Sequence, residues 1–267
     1  MIYAKIIADS ITGSGKRLTT MEVQMHRFVL AEFNTHRVFS RNSASSRAIP
    51  IEKQIAKISK HPAYPLEWGS NKSGMQAGEP LNPKDSRKAK KIWKKSSKRA
   101  IKDCRKLENL GVHKQLANRI LEPYMWHTVI VSSTEWDGFF EQRCSTLAQP
   151  EIRQTAMAMR EAYKKSVPDF IVTGEFHLPY LQPEEYNLDN NLKAKICIAR
   201  CARVSYLTHN NVKSIHKDLD LFNRLVDADP PHWSPMEHVA TPAVSDLDCS
   251  GNFDGYAQIR HNLHLVF

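Results

Sequence analysis

The sequence predicts an α/β (α+β) fold, a mixed sheet packed by helices with no Rossmann unit, and three observations carry that expectation. Two strand-like runs open the chain, residues 2–11 and 20–28; the second alternates Met21, Val23 and Met25 with Glu22, Gln24 and His26, the period-two pattern of a sheet with one apolar face. Segments of helical period follow at 84–107, 148–165 and 219–226. Neither Gly-x-Gly-x-x-Gly after a strand nor the Gly-x4-Gly-Lys-Ser/Thr loop occurs, so a nucleotide would need a different cradle.

Taken in order, residues 28–35 read as a short helix that delivers a polar loop. Residues 51–82 hold scattered Pro62, Pro65, Gly69, Gly74, Gly78 and Pro80 and read as a surface excursion. In 84–107 the small or apolar positions Ala89, Trp93, Ser97, Ala100, Cys104 and Leu107 recur every three or four residues, which makes an amphipathic helix with a basic outer face. Gly111, Val112 and His113 open another helical run toward Leu121, and 128–132 is a short β-branched strand. The helix over 148–165 stops before Pro168, residues 196–198 read as a strand, and 232–238 lies in a loop entered through Pro230 and Pro231. No linker or repeat divides the chain, so a single catalytic domain over 1–267 is expected, with 51–110 as its excursion and basic helix.

Composition narrows the class further. Of 267 residues, 41% are hydrophobic, enough for a substantial core, and no apolar run approaches the ~20 residues that span a bilayer. The five cysteines, Cys104, Cys144, Cys197, Cys201 and Cys249, form no dense framework, and no leader-like segment opens the chain; a reducing cytoplasm is the expected setting. The net charge of +10 originates largely in the 84–107 helix. Its basic face is either merely solvated or attracts polyanions such as nucleotides or a nucleic-acid backbone. Cys-x-x-Cys pairs and His-Glu-x-x-His are absent, and the spacing of His232 and His238 matches no metal pattern, so no metal is expected.

The segment from Thr35 to Arg47 concentrates the chemistry: arginine forks, one imidazole, an amide and repeated hydroxyls, a set suited to phosphate and a planar heterocycle. Within it, His36-Arg37 precedes Ser45 and then Arg47. A second block runs from Phe139-Phe140-Glu141-Gln142-Arg143 to Ala148-Gln149-Pro150-Glu151-Ile152-Arg153, and a third pairs Ala202-Arg203-Val204-Ser205 with His232-Trp233-Ser234-Pro235-Met236-Glu237-His238. These three blocks resemble the flavin-dependent thymidylate synthases, which carry Arg-His-Arg seven residues before a serine, Phe-Leu-Asn-Leu-Arg with Ala-Gln-Trp-Glu-Ile-Arg, and Ala-Arg-Val-Ser with His-x-Thr/Ser-Pro-Phe-Glu-His. The third block usually precedes the arginine loop; here it closes the chain, so the sequence is similar to the family in circularly permuted order.

The resemblance implies that family's mixed α/β fold, FAD as cofactor, NADPH and methylenetetrahydrofolate as co-substrates, and reductive methylation of dUMP to dTMP in a homotetramer whose sites form between subunits. It places Arg153 as the catalytic group that favours pyrimidine ionisation. His36, Arg37, Glu141, Arg143, Ser205, His232, Ser234 and Glu237 would border the cofactor and folate. Glu32, Thr35, Ser43, Ser45, Ser46, Arg47 and Arg153 would meet the nucleotide. For Arg153 the alternative is a surface salt bridge to Glu151 or Glu161; for His238 a buried structural imidazole is preferred; for Cys144 a packing role is preferred to nucleophilic chemistry. The chain departs from the family pattern at Thr35 (arginine), Ser43 (glutamate), Glu141 (asparagine) and Glu32 (glutamine), and has no arginine near Thr128. Two other readings stay open: a hydroxymethylase or methylase acting on dUMP or dCMP, and a basic nucleic-acid-binding relative without catalysis.

Overall fold

The computed structural model describes residues 1–209, 214–244 and 251–267; Cys249 lies outside them. Five strands form the main sheet: β1 (Tyr3–Ile11), β2 (Arg17–His26), β3 (Ser40–Ser43), β4 (Trp126–Ser133) and β5 (Asp169–Phe170), in the order β3-β4-β2-β1-β5. All neighbours run antiparallel except β1 and β5, which are parallel, so the sheet is mixed as expected. The alternation in β2 does what the sequence implies. Met21, Val23 and Met25 enter a core with Phe33, Trp136, Phe139, Ile152 and Met159, supplied by α1 (Leu30–Asn34), α5 (Asp137–Arg143) with Trp136 just before it, and α6 (Pro150–Lys165). Burying these side chains contributes about 1.5–3 kcal/mol each.

The opposite sheet face carries two smaller groups of helices. In the first, α2 (Ile51–Lys60), α3 (Pro83–Asn109) and α4 (Lys114–Ala117) share a core of Ile51, Ile55, Ile58, Cys104, Ala117 and Leu121. The excursion read from the sequence therefore begins with a packed helix: Ile51, Ile55 and Ile58 fall on one face at helical spacing and seal against α3. Asn82 caps α3, its side chain accepting from Asp85 N at 2.9 Å, and Gly111 ends the segment at φ +80°, a conformation glycine adopts without strain.

In the second group, α7 (Asn190–Arg203) and α8 (Ile215–Val226) pack with residues 234–238 and with the short pair β6 (Ala240–Pro242) and β7 (Tyr256–Gln258). Residues 196–198, expected as a strand, lie inside α7. Asp189 caps that helix by accepting from Asn191 N and Leu192 N at 2.9 and 3.2 Å. Ala194, Ile196, Cys197, Ile198, Ala199, Cys201 and Ala202 are all buried, so the helix is apolar on several sides and its short hydrophobic run carries no diagnostic period. Arg200 locks the group internally. Its guanidinium donates to Glu185 Oε2 at 2.7 Å and to Asp218 Oδ2 at 3.0 Å, all three side chains being buried.

Glu22 fastens β2 to this second group. Its carboxylate accepts from Tyr3 and Tyr180 hydroxyls, each at 2.6 Å, and pairs with His209 at 2.9 Å. Burial alone would raise its pKa, but the hydrogen bonds from His209, Tyr180 and Tyr3 outweigh it and bring it down to about 2. No helix among the described residues is long and apolar enough to cross a membrane.

Candidate functional site

The loop after β3 is held by backbone contacts that leave its side chains available. Ala44 N donates to Thr128 O at 2.9 Å, extending the sheet edge by one residue, and Ser45 N then donates to Ser205 O at 3.0 Å, turning the chain toward α7. Ser45 O accepts from Ala48 N and Ile49 N, which closes a tight turn. Buried Asn42 ties the segments together: its Nδ2 donates to Cys201 O at 2.7 Å, and its Oδ1 accepts from Ser205 Oγ at 3.3 Å and Ser234 Oγ at 3.5 Å.

Around this junction lies a cavity of about 800 Å³, lined by Ser43, Ser45, Ser46, Arg47, Ser205, His232 and Ser234 with Arg27, Arg41, Lys114 and Arg119. Segments about 160 and 190 residues apart in sequence thus border one space. Five cations and several hydroxyls converge there, a donor set matched to phosphate oxygens. Some of these cations are already engaged. Arg27 and Arg119 pair with Glu122 at 3.2 and 2.7 Å, and the same carboxylate accepts from Ser46 Oγ at 3.1 Å. Arg41 Nη1 donates to His36 O at 3.2 Å, and burial lowers its pKa while Glu237 acts in the opposite sense. The Arg47 side chain is exposed and makes no hydrogen bond or ion pair among the described residues, so its fork is available to a ligand.

Glu32, Thr35, His36 and Arg143 form a second cluster beside the cavity. Arg143 Nε donates to His36 Nε2 at 2.9 Å, which makes that nitrogen an acceptor and the imidazole neutral, and its Nη2 donates to Thr35 Oγ1 at 2.9 Å. The ring stands edge-on to Phe139, 4.8 Å between centroids. Burial, then Arg143 and Arg41, hold the His36 pKa below its ordinary value. Arg37 and Glu141 are exposed and do not line the cavity. Glu141 consequently stands clear of the convergent cations, so a carboxylate there does not repel an anion held by them.

Arg153 lies elsewhere. It sits in the first turn of α6 in a separate cleft with Leu66, Glu67, Arg160 and Lys164, pairing with Glu67 at 3.4 Å and donating to Thr146 O at 3.4 Å. The partners considered from sequence are occupied: Glu151, buried, accepts from Leu66 N at 2.7 Å, and Glu161 accepts from Lys165 at 2.6 Å. Glu151 thereby pins residues 66 and 67 onto α6 and delivers Glu67 to the arginine. Apart from Arg37, Glu141 and Glu237, the residues assigned from sequence therefore fall into three places in one chain: the cavity, the His36 cluster and the Arg153 cleft.

The remaining assignments are also placed. Glu237 is ion-paired with Arg260 behind the cavity. His232 is at the exposed rim, whereas His238 is fully buried; its Nδ1 is 2.8 Å from Ser132 Oγ, and burial, then His177, push its pKa down to about 3. These two imidazoles thus occupy different environments, and no group of three His, Cys, Asp or Glu among the described residues is arranged for a metal. Burial raises the Cys144 thiol, the opposite of nucleophile activation. Sequence reasoning missed the joining role of Asn42 and the rim cations Arg27 and Arg119; Asn42 sits inside the conspicuous polar run, but no spacing rule marks it.

Comparison with known proteins follows these contacts. The family model described as thymidylate synthase complementing protein matches residues 18–169. The flavin-dependent thymidylate synthase of Pseudothermotoga lettingae is 24% identical over 152 residues, 56% of this chain and 62% of that protein. The match therefore spans less than two thirds of that relative's length. The crystal structure of the UMP/dUMP methylase PolB from Streptomyces cacaoi, bound with 5-Br dUMP, superposes with a TM-score of 0.48 at 13% identity, covering 62% of this chain and 90% of that one. With the model spanning β2 through β5, over half of the chain, this protein belongs to the thymidylate synthase complementing protein family.

Proposed function

We propose that this protein is a flavin-dependent thymidylate synthase that methylates dUMP at the pyrimidine ring, with methylenetetrahydrofolate as one-carbon donor and NADPH as reductant. The observation that supports this most directly is the convergence of the Ser45–Arg47 loop, Ser205 and the His232–Ser234 segment on one cationic cavity, within a chain of this family. The permuted motif order is part of the proposal: the third block closes the chain yet packs against β3 through Asn42.

The donor set fits the phosphates of a nucleotide and of FAD. Arg47 and the Ser45 hydroxyl hold a nucleotide phosphate, Arg41 adds positive potential, and His36, kept neutral by Arg143, offers a ring edge without charge. When bound, a flavin supplies hydride chemistry. Arg153 is permanently charged, so it stabilises negative charge on a pyrimidine edge without exchanging a proton. Because Arg153 and Arg47 line different openings of one protomer, the reading requires that a second copy bring its Arg153 to the nucleotide, as in the expected homotetramer.

Mixing inactive variants tests this. Arg47→Ala and Arg153→Ala are each expected to abolish dTMP formation, with flavin absorbance retained in Arg153→Ala. Co-refolded in equal amounts, they should regain about a quarter of wild-type turnover, because half of random pairs are mixed and one of two shared sites in each is intact. Absence of recovery despite proven subunit exchange would sink the shared site. Assays with dUMP and dCMP, analysed for methyl and hydroxymethyl products, separate thymidylate synthesis from the related pyrimidine modifications.

A further inference from the structure

We infer that the solvent face of α3 is a docking surface for a nucleic-acid backbone, separate from the nucleotide site. Helix α3 holds twelve Lys and Arg against three Asp and Glu, a net +9 in a chain whose total is +10. This charge is not scattered. At 100° per residue Lys84, Arg87, Lys91, Lys95, Lys98 and Lys102 fall within one narrow stripe, and from Lys84 to Lys102 that stripe runs for about 27 Å. The ion pairs of the helix involve other cations: Lys88 with Asp85, Arg99 and Lys106 with Asp103, and Arg105 with Glu52. The six stripe residues are exposed and make no ion pair among the described residues.

The arrangement discriminates among polyanions. No α3 residue lines either cleft of the proposed active site, so the stripe does not serve a mononucleotide held there. An interfacial membrane helix needs an apolar face to bury in lipid. Here the apolar positions Trp93, Ala100, Ile101, Cys104 and Leu107 are packed against α2 and the segment around Leu121, and Ile92 is the large apolar side chain that α3 leaves exposed. What is presented outward is a long row of unpaired cations on a rigid rod, complementary to a row of phosphates, and it makes no base-reading contact. The binding is therefore electrostatic and independent of sequence.

The test uses the full-length protein and fluorescence anisotropy with a labelled 30-nucleotide single strand and a 30-base-pair duplex between 50 and 300 mM KCl. Six phosphate contacts predict a slope of log K against log salt of about −5 for duplex and about −4 for the single strand. The variant Lys91→Gln/Lys95→Gln/Lys98→Gln/Lys102→Gln should bring the slope to about −2 or shallower and weaken binding at 50 mM KCl at least tenfold; glutamine keeps helix propensity close to that of lysine. A charge-matched variant, Lys5→Gln/Lys53→Gln/Lys72→Gln/Lys217→Gln, should retain the wild-type slope. Three results would overturn the inference: no saturable binding at 50 mM KCl, equal losses in both variants, or binding to phosphatidylglycerol vesicles but to neither nucleic acid.

Discussion

Replacing Glu22 by Gln tests how the strand β2 is fastened to the group of helices that carries Ser205. The carboxylate is buried and accepts from Tyr3, Tyr180 and His209, which together bring its pKa from 4.5 to about 2. A displacement of that size is worth roughly 3 kcal/mol by linkage, which solvent screening reduces to about 2 kcal/mol. The sign follows from the depressed pKa. The ionised form is favoured in the folded state, so the contribution is complete above about pH 4.5 and is lost as the pH falls toward 2. Gln mimics the protonated acid, so the variant lacks this contribution at every pH. Urea unfolding at pH 7 should show Glu22→Gln less stable by about 2 kcal/mol, a loss of roughly 4–8 °C in Tm, with the difference shrinking toward zero between pH 4.5 and 2. A difference that stays constant from pH 7 to 3, or one below about 0.5 kcal/mol at pH 7, would refute the assignment of Glu22 as an ionised hub.

Two other perturbations probe the same framework. Arg200→Ala leaves the buried carboxylates of Glu185 and Asp218 without their common partner and should cost about 3–5 kcal/mol in chemical denaturation; a loss under 1 kcal/mol would show that the two acids are neutral in the fold. Arg143→Gln removes a cation that helps hold His36 below its ordinary pKa, so the imidazole should titrate at higher pH in proton–nitrogen NMR spectra. An unchanged titration would mean that burial and Arg41, without Arg143, set the His36 value.

The parts of the fold legible in sequence are those governed by a single clean period. β2 alternates because one face meets a core and the other meets polar partners, and α3 shows its stripe because one side is wet. The misreading at 196–198 has the opposite cause. In α7 packing on several sides erases the wet face, leaving Asp189 as the local signal, and a cap residue is ambiguous without a period behind it. At 51–60 the structure adds a packed helix to the expected excursion: Ile51, Ile55 and Ile58 form a helical stripe, but it spans about three turns and the Pro and Gly residues from 62 onward are the stronger local signal.

For the site, residue type was legible but assembly was not. The sequence marks Ser45, Arg47, Ser205, His232 and Ser234 as polar groups in recognisable blocks, and these meet at one cavity. Nothing in those blocks states that Asn42 joins them, because an amide that bridges a carbonyl on α7 and two serine hydroxyls draws on contacts 159 to 192 residues away. Those contacts depend on spatial adjacency, and chain order enters only through how the segments are connected. Chain order is therefore a weak constraint on this pocket, which is why the permuted arrangement we propose is physically reasonable. The same logic explains Arg153. A helix that is a neighbour in sequence to β4 and β5 can still open onto a different surface, and Arg153, paired with Glu67 there, faces away from the cavity, so the role we propose for it depends on a second copy presenting that surface to the first.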